Sequence, residues 1–384
     1  MADCQRSDAG IGVGGAATGQ AAAGPVCPEA KEVKTEPVAH TALQSPSSRS
    51  LFWSSRRPSS PNRPTTQRLP PQPMSLEYTI VDTFLPSPGT AFAGNPTAVV
   101  RIVSSAVFPP DSVLQAIAIE FNTAATTFVM EHPDSTTGLP VYSIRWFTPQ
   151  YEIIRFCGHG TMAASHCVFS QTAIGDDVDR IQFVAGNQER YFTHRRGRQF
   201  EFEFPAYVVE ELSPDETQTL RSVVLRSCPA LSAADLLHIS VSNGRRDILV
   251  EIANDVDLGG LHVNCSVLES VEQTRMTLTN TWKNGSVPEA DICSRVFYKT
   301  GENPVCGVAH SSLAVYWSPR LGKTSLVAFS ASARRGRLEV SLDTARHMVA
   351  LRGLAGSVMT GTILLNWTCT DQYARSQHKV VLEK

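Results

Sequence analysis

Two stretches decide how this chain folds: Arg145-Trp-Phe-Thr-Pro149, which leads to Cys157-Gly-His-Gly160, and Arg295-Val-Phe-Tyr298, which leads to Cys306-Gly-Val-Ala309. Each reads as a strand, a polar loop, a Cys-Gly pair and a helix of small residues, with the arginine a similar distance ahead of the cysteine. A repeated unit of this kind predicts a body of two pseudo-symmetric halves. In such a body, equivalent loops face each other across the interdomain cleft, where small-molecule sites often lie. Cys157 and Cys306 are therefore expected on opposite walls of one pocket.

Around these units the chain alternates β-rich runs with amphipathic stretches. Tyr78–Val81, Ala98–Ile102 and Val141–Phe147 read as strands. Helices are expected after Gly158, through Met162, Ala163 and Val168, and after Gly307, through Leu313, Ala314 and Tyr316. A further helix is expected to open with Asp111 as N-cap and to place Val113, Ile117 and Phe121 on one face. The fold class is thus α+β, a mixture of α and β within each half.

Residues 1–74 have a different character. They are rich in Ala, Gly, Ser, Pro and Gln, with isolated large apolar residues such as Leu51, Phe52 and Trp53, too few to bury a core. A disordered low-complexity leader is expected there, followed by domains over 75–200 and 201–384. The basic residues Arg49, Arg56, Arg57, Arg63 and Arg68 suit an organelle-targeting segment, but Asp3, Asp8, Glu29, Glu32 and Glu36 precede them. Met74, directly ahead of the first strand-like run, leaves an upstream extension as the other reading.

The formal net charge of −2 over 384 residues, with cations dispersed outside the leader, gives no electrostatic footprint for nucleic acid or an anionic membrane. A small-molecule partner is the expectation. Nine cysteines without a Cys-x-x-Cys pair, and no secretory apolar segment, point to reduced thiols in a cytoplasmic protein, so the sequons at Asn264, Asn284 and Asn366 are expected to stay unmodified. No apolar run approaches the roughly 20 residues a membrane helix needs. There is no Gly-x-Gly-x-x-Gly fingerprint, Walker loop or spaced ligand cluster, so no cofactor and no metal are expected.

The chemistry suggested by the repeat is proton transfer. A helix start offers N–H groups to a carboxylate and favours a thiolate. The dipole alone is worth about 0.3–1 kcal/mol, less than one pKa unit at about 1.36 kcal/mol, so water exclusion and a matched partner must supply the rest. Two thiols facing one carbon can remove a proton from one side and return one to the other, inverting the centre. The plainer alternative is that each cysteine is a small apolar filler at a crowded turn. Cys167, Cys228, Cys265, Cys293 and Cys369 lack the repeated context and read as structural.

The stretches Val81-Asp-Thr-Phe84, Gly94-Asn-Pro-Thr-Ala-Val-Val100, Arg145-Trp-Phe-Thr-Pro-Gln-Tyr-Glu152, Cys157-Gly-His-Gly-Thr-Met-Ala-Ala164, Glu302-Asn-Pro-Val-Cys-Gly-Val-Ala-His310 and Ser332-Ala-Arg-Arg-Gly336 resemble the phenazine-biosynthesis isomerase-like (PhzF-like) family. The resemblance runs in order from about Leu76 to the C-terminus. It implies the diaminopimelate-epimerase-like fold: two domains, each a curved sheet around a central helix, with the active site between them. It also implies a homodimer. The cysteine pair resembles that of diaminopimelate epimerases and proline racemases. The family's catalytic glutamate usually stands in Ser-Glu-Thr-Ala-Phe; the matching Ala124-Ala-Thr-Thr-Phe128 has Ala125 in its place. The family's Glu-Asp-Pro is Glu302-Asn303-Pro304, while the motif histidine is kept as His159.

The preferred expectation is a cofactor-independent isomerase or epimerase acting next to a carboxylate or carbonyl, within biosynthesis, with Cys157 and Cys306 as its bases. His159-assisted isomerisation or cyclisation, and a binding protein without chemistry, are the competing readings. Asn95, Gly158, Gly160, Gly307 and Val308 are candidate substrate-binding positions, Asn95 with turn-making as its other role. Glu152 and Arg145 are a candidate ion pair, and His166, His310 and Arg334 are candidate supporting residues.

Overall fold

The computed structural model describes residues 74–365 apart from 104–106, 135–137, 154–155, 172–173, 175–176, 245 and 282–289. Residues 1–73 of the expected leader, Cys369 and the sequons at Asn284 and Asn366 lie outside the described residues. The first half runs β1 (Met74–Thr83), β2 (Asn95–Ile102), α1 (Asp111–Phe121), β3 (Thr126–Glu131), β4 (Val141–Phe147), β5 (Glu152–Ile153), α2 (Gly158–Gln171), β6 (Arg180–Ala185), β7 (Arg190–Arg196) and β8 (Gln199–Pro205). The second runs β9 (Val209–Glu210), α3 (Pro214–Ser227), β10 (Leu236–Ser242), β11 (Asp247–Ile252), β12 (Arg275–Asn280), β13 (Ile292–Tyr298), β14 (Gly301–Asn303), α4 (Gly307–Leu321), β15 (Ser325–Ser330), β16 (Gly336–Asp343) and β17 (Met348–Leu365). No described helix is long and apolar enough to cross a membrane.

The pairing pattern carries the repeat. In the first half β2 lies parallel to β3, which runs antiparallel to β4; β4 pairs β5 in a hairpin and β6 in parallel, and β6 pairs β7 antiparallel. Strands β11, β12, β13, β14, β15 and β16 repeat those relations in the same order. The 18-residue β17 serves both halves. Its first part pairs β16 and β8, and Ala355–Leu365 pairs β1, closing the ring β1-β2-β3-β4-β6-β7-β8-β17.

Helices α2 and α4 are the central elements. Their small residues let strands approach on nearly every side, and α4 is buried from Gly307 through Ser318 with few exceptions. The buried hydroxyls of α2 are satisfied within the helix: Thr161 Oγ1 donates to the Cys157 carbonyl at 2.8 Å and Ser165 Oγ to the Thr161 carbonyl at 2.7 Å. One apolar cluster contains residues of both helices, such as Met162, Ala163, Leu313 and Tyr316. Helix α1 covers the outside of the first sheet with Val113, Leu114 and Ile117 over Leu76, Val100 and Phe128. Helix α3 covers the second with Leu220, Val223 and Val224.

Two local details differ from the sequence expectation. The N-cap of α1 is Pro110, with no side-chain cap bond, and Asp111 is the first helical residue. Its carboxylate instead accepts from Arg145 Nη1 at 2.8 Å. Helix α3 was not among the expected elements, although Ser213 and Glu216 form a complete capping box around Pro214.

Loops from opposite halves interlock beside the central helices. Arg334 donates to Asp82 Oδ1 at 2.7 Å and to the Gly94 carbonyl at 2.9 Å, while Gly94 N–H donates to the Arg335 carbonyl at 2.7 Å. Arg337 N–H donates to the Phe84 carbonyl at 3.0 Å. Gly94 has φ of +66°, and a Cβ there would stand 2.1 Å from the Thr83 carbonyl oxygen. Gly197 has a similar φ of +61° but open space around it. Gly94→Ala is therefore expected to cost clearly more than the roughly 1–2 kcal/mol of the left-handed backbone that Gly197→Ala also bears. Urea unfolding of the two variants checks this by a larger loss of midpoint for Gly94→Ala.

Candidate active site

The sites of the two repeats are built alike. Cys306 is the N-cap of α4, and its carbonyl accepts from the His310 N–H at 3.3 Å; the Cys157 carbonyl accepts from the Thr161 N–H at 2.9 Å. In both helices the side chain four residues on returns to that same carbonyl, Thr161 Oγ1 at 2.8 Å and His310 Nδ1 at 2.7 Å. A carbonyl only accepts, so His310 carries its proton on Nδ1, and Nε2 accepts from Ser294 Oγ at 3.2 Å. The Cys306 thiol makes no cap bond, whereas the Cys157 thiol is faced by the Gly160 N–H.

The arginines ahead of the cysteines hold equivalent posts. Arg145 grips Glu152 with Nε and Nη2, both at 2.7 Å, and Arg295 grips Glu302 with the same two nitrogens at 2.7 and 2.9 Å. Both are bidentate forks that pin the hairpin leading to the helix. The Glu152 partners drive the Arg145 guanidinium well above the usual arginine range.

The helix starts meet at their glycines. A Cβ at Gly158 would lie 3.6 Å from the Gly307 Cα, and a Cβ at Gly307 would lie 3.6 Å from the Gly158 Cα. Phe84, Phe202 and Leu351 close around this contact. The two thiols are each 4% exposed and close enough that Cys306 adds to the upward shift of Cys157. Burial pushes the Cys157 thiol up to about 12, with the Gly160 N–H opposing. The His159 ring stands beside it, Nδ1 at 3.6 Å and Nε2 at 3.8 Å from Sγ, and burial pulls that imidazole down to about 4.

Other candidate positions fall into place around this centre. Gly160 is walled by Trp146 and Thr127, whose Cδ1 and Oγ1 would be 2.5 and 2.7 Å from a Cβ. Val308 is half-buried and packs with Val296, Cys306 and Tyr298. Asn95 is fully buried, and Nδ2 donates to Asn303 Oδ1 and to the Val305 carbonyl, both at 2.9 Å. That engages both amide hydrogens in joining the halves. Ala125 is buried in the central cluster. Cys167, Cys228 and Cys293 are buried. His166 bonds Ser357 Oγ at 2.9 Å on the outside of α2.

Sequence reasoning missed Arg275, Asp247 and Tyr298. The Arg275 guanidinium donates to Asp247 Oδ2, to Tyr298 Oη at 3.1 Å and to Cys306 Sγ at 3.5 Å, and Tyr298 Oη stands 3.6 Å from the same sulfur. A charged residue opening an otherwise apolar and threonine-rich strand was the available signal.

The fold and the paired Cys-Gly helix starts define an isomerase of the epimerase-like α/β class. The sequence pattern of the phenazine biosynthesis-like protein family (PhzC-PhzF) matches residues 81–361, and the chain belongs to that family. An uncharacterized isomerase of Halalkalibacterium halodurans is 30% identical over 297 residues, covering 76% of this chain and all of the relative. The phenazine biosynthesis-like domain-containing protein of Bos taurus is 31% identical over 303 residues, covering 76% of this chain and 99% of the relative. Among solved structures, the PhzF family protein of Enterococcus faecalis aligns with a TM-score of 0.63 at 25% identity, over 76% of this chain and all of that one.

The two buried imidazoles give a stability signature. His159 and His310 are both held near about 4 by burial, below the ordinary 6.5, so they stay neutral in the folded state while the unfolded chain takes up protons. Their contribution is complete above about pH 6.5 and is lost as pH falls from there toward about 4. Replacing His310 with Gln, which can still donate to the Cys306 carbonyl, is expected to remove up to about one proton from that slope, about 1.36 kcal/mol per pH unit. Denaturant unfolding across this window in wild type and H310Q checks it.

Proposed function

We propose that this chain is a cofactor-independent isomerase or epimerase that moves a proton at a carbon next to the carboxylate or carbonyl of a small molecule. The observation that carries the reading is the placement of Cys157 and Cys306 at two abutting helix starts, with Ala125 where the resembling isomerases have glutamate. The substrate carboxylate is received by helix-start N–H groups, which need no reorganisation to face an anion. One cysteine, as the thiolate, takes the proton, and the other, as the thiol, returns one to the opposite face. The relatives' names as isomerases support the reaction class. The protein works in the cytoplasm as a homodimer in a biosynthetic route, with no nucleic-acid or membrane partner.

His159 has a supporting part. A neutral imidazole beside the Cys157 sulfur can orient the thiol or pass its proton on. The alternative in which His159 itself does the proton work is favoured only by this proximity.

The test is deuterium wash-in from heavy water across amino acids and cyclic carboxylic acids. Exchange at the α-carbon is expected in wild type and is expected to fall by about 10²–10⁴-fold in both Cys157→Ser and Cys306→Ser. Loss of exchange in His159→Ala with both serine variants active would move the chemistry to the imidazole. Ligand-dependent stabilisation with no exchange for that ligand would make the chain a binding protein.

A further inference from the structure

The two thiols keep different company. Strands β11, β12 and β13 pair so that Asp247 lies across from Arg275 and Arg275 across from Tyr298, which sets the three side chains in a row leading to Cys306. Arg275 is buried and bridges them, touching Asp247, Tyr298 and the Cys306 sulfur at once. Cys306 also has its own carbonyl bonded by His310, and Cys157 lies across the glycine contact. Cys157, by contrast, faces the His159 ring and the Gly160 N–H, both without charge at neutral pH. Charge is thus placed on one side of the pair.

We propose that Arg275, held by Asp247 and Tyr298, is a positioning residue that keeps Cys306 as the thiolate of the pair and leaves Cys157 as the thiol. An arginine is the residue suited to this, because it stays charged when buried and its fork serves several acceptors at once. Asp247 holds Nη2 of the fork, which leaves Nη1 to face Tyr298 Oη and the Cys306 sulfur. Cys157 is buried to the same extent but has no cation beside it among the described residues, and burial there favours the neutral thiol.

Resting on the two-thiol reading, this assignment gives the faces of the site fixed roles. The substrate C–H bond breaks, its proton goes to Cys306 Sγ, and the electron pair passes into the adjacent carboxylate or carbonyl. The S–H bond of Cys157 then breaks and its proton forms the new C–H bond on the other face. Transfer of a proton from Cys306 back to Cys157 restores the resting state. The resting enzyme therefore accepts the isomer whose hydrogen faces Cys306.

Site-resolved alkylation of the full chain tests the assignment without any turnover. Both residues are 4% exposed, and dividing each iodoacetamide rate by its own plateau at high pH separates ionisation from access. At neutral pH Cys306 is expected to react about tenfold faster than Cys157 or more, and to go on reacting at mildly acidic pH after Cys157 has stopped. The double variant Arg275→Gln with Asp247→Asn removes the cation without stranding a buried carboxylate, and is expected to abolish the preference. Arg275→Lys, which keeps the charge, is expected to restore most of it. Equal labelling in wild type, faster labelling of Cys157, or a preference that survives in the folded double variant would each overturn the proposal. Should Cys306 react first in a protein that exchanges no substrate proton, the assignment of the thiolate stands and the two-thiol function falls.

Discussion

The contact between Gly158 and Gly307 is the constraint on which the rest of the structure depends. Each is the first residue of a helix, so each brings N–H groups with no intrahelical partner and about half a positive charge. Two such ends placed together repel, and the repulsion is relieved by negative charge between or beside them. Under the proposed function, a thiolate at the N-cap and a substrate carboxylate at the free N–H groups would both supply it. The close approach also explains the composition of the helices: with residues such as Gly, Ala, Ser and Thr along α2 and α4, sheets can wrap them without a thick layer of side chains. The reactive centre and the packing thus share one cause.

Holding two helix ends together requires that the halves not slide, and the polar loops do this. Asp82 with Arg334, Asn95 with Asn303 and the Val305 carbonyl, and Gly94 with the Arg335 carbonyl cross between the halves next to the contact. Strand β17 adds backbone pairing to both sheets. Partners from the opposite half meet part of the cost of burying Asn95 and Asp82, through Asn95 Nδ2 and Asp82 Oδ1, so removing either side chain would leave those partners unpaired in a dry place. Asn303 takes part in this joint by accepting from Asn95 Nδ2.

Much of this was legible in the sequence because it is local. Strand, loop, Cys-Gly and helix recur as contiguous patterns, and the seven-residue spacing from Arg145 to Glu152 recurs from Arg295 to Glu302, so the halves, central helices and arginine forks could be read from neighbouring residues. The Asp111 cap does not form: the helix starts one residue earlier, after Pro110, and the carboxylate pairs with Arg145 of β4, a partner distant in sequence. Arg275, Asp247 and Tyr298 were invisible for a related reason. Their meeting depends on the register of three strands, and a shift of one residue would turn each side chain to the other face. Registers are set by the whole sheet.

The same register decides the electrostatics of the thiol pair. A repeat gives two cysteines equal backbone positions, but the proposed two-thiol reaction at one carbon would need the two groups in opposite protonation states. On that reading, symmetry has to be broken near the sulfurs without disturbing the helix starts. Here the break lies in what the neighbouring strands present: β12 and β13 bring a guanidinium and a phenol to Cys306, whereas the first half brings the equivalent thiol a neutral imidazole from its own helix. Because the cation arrives from the sheet and not from the loop that carries the cysteine, the geometry of the Cys-Gly turn is free to stay alike in both halves while its chemistry diverges.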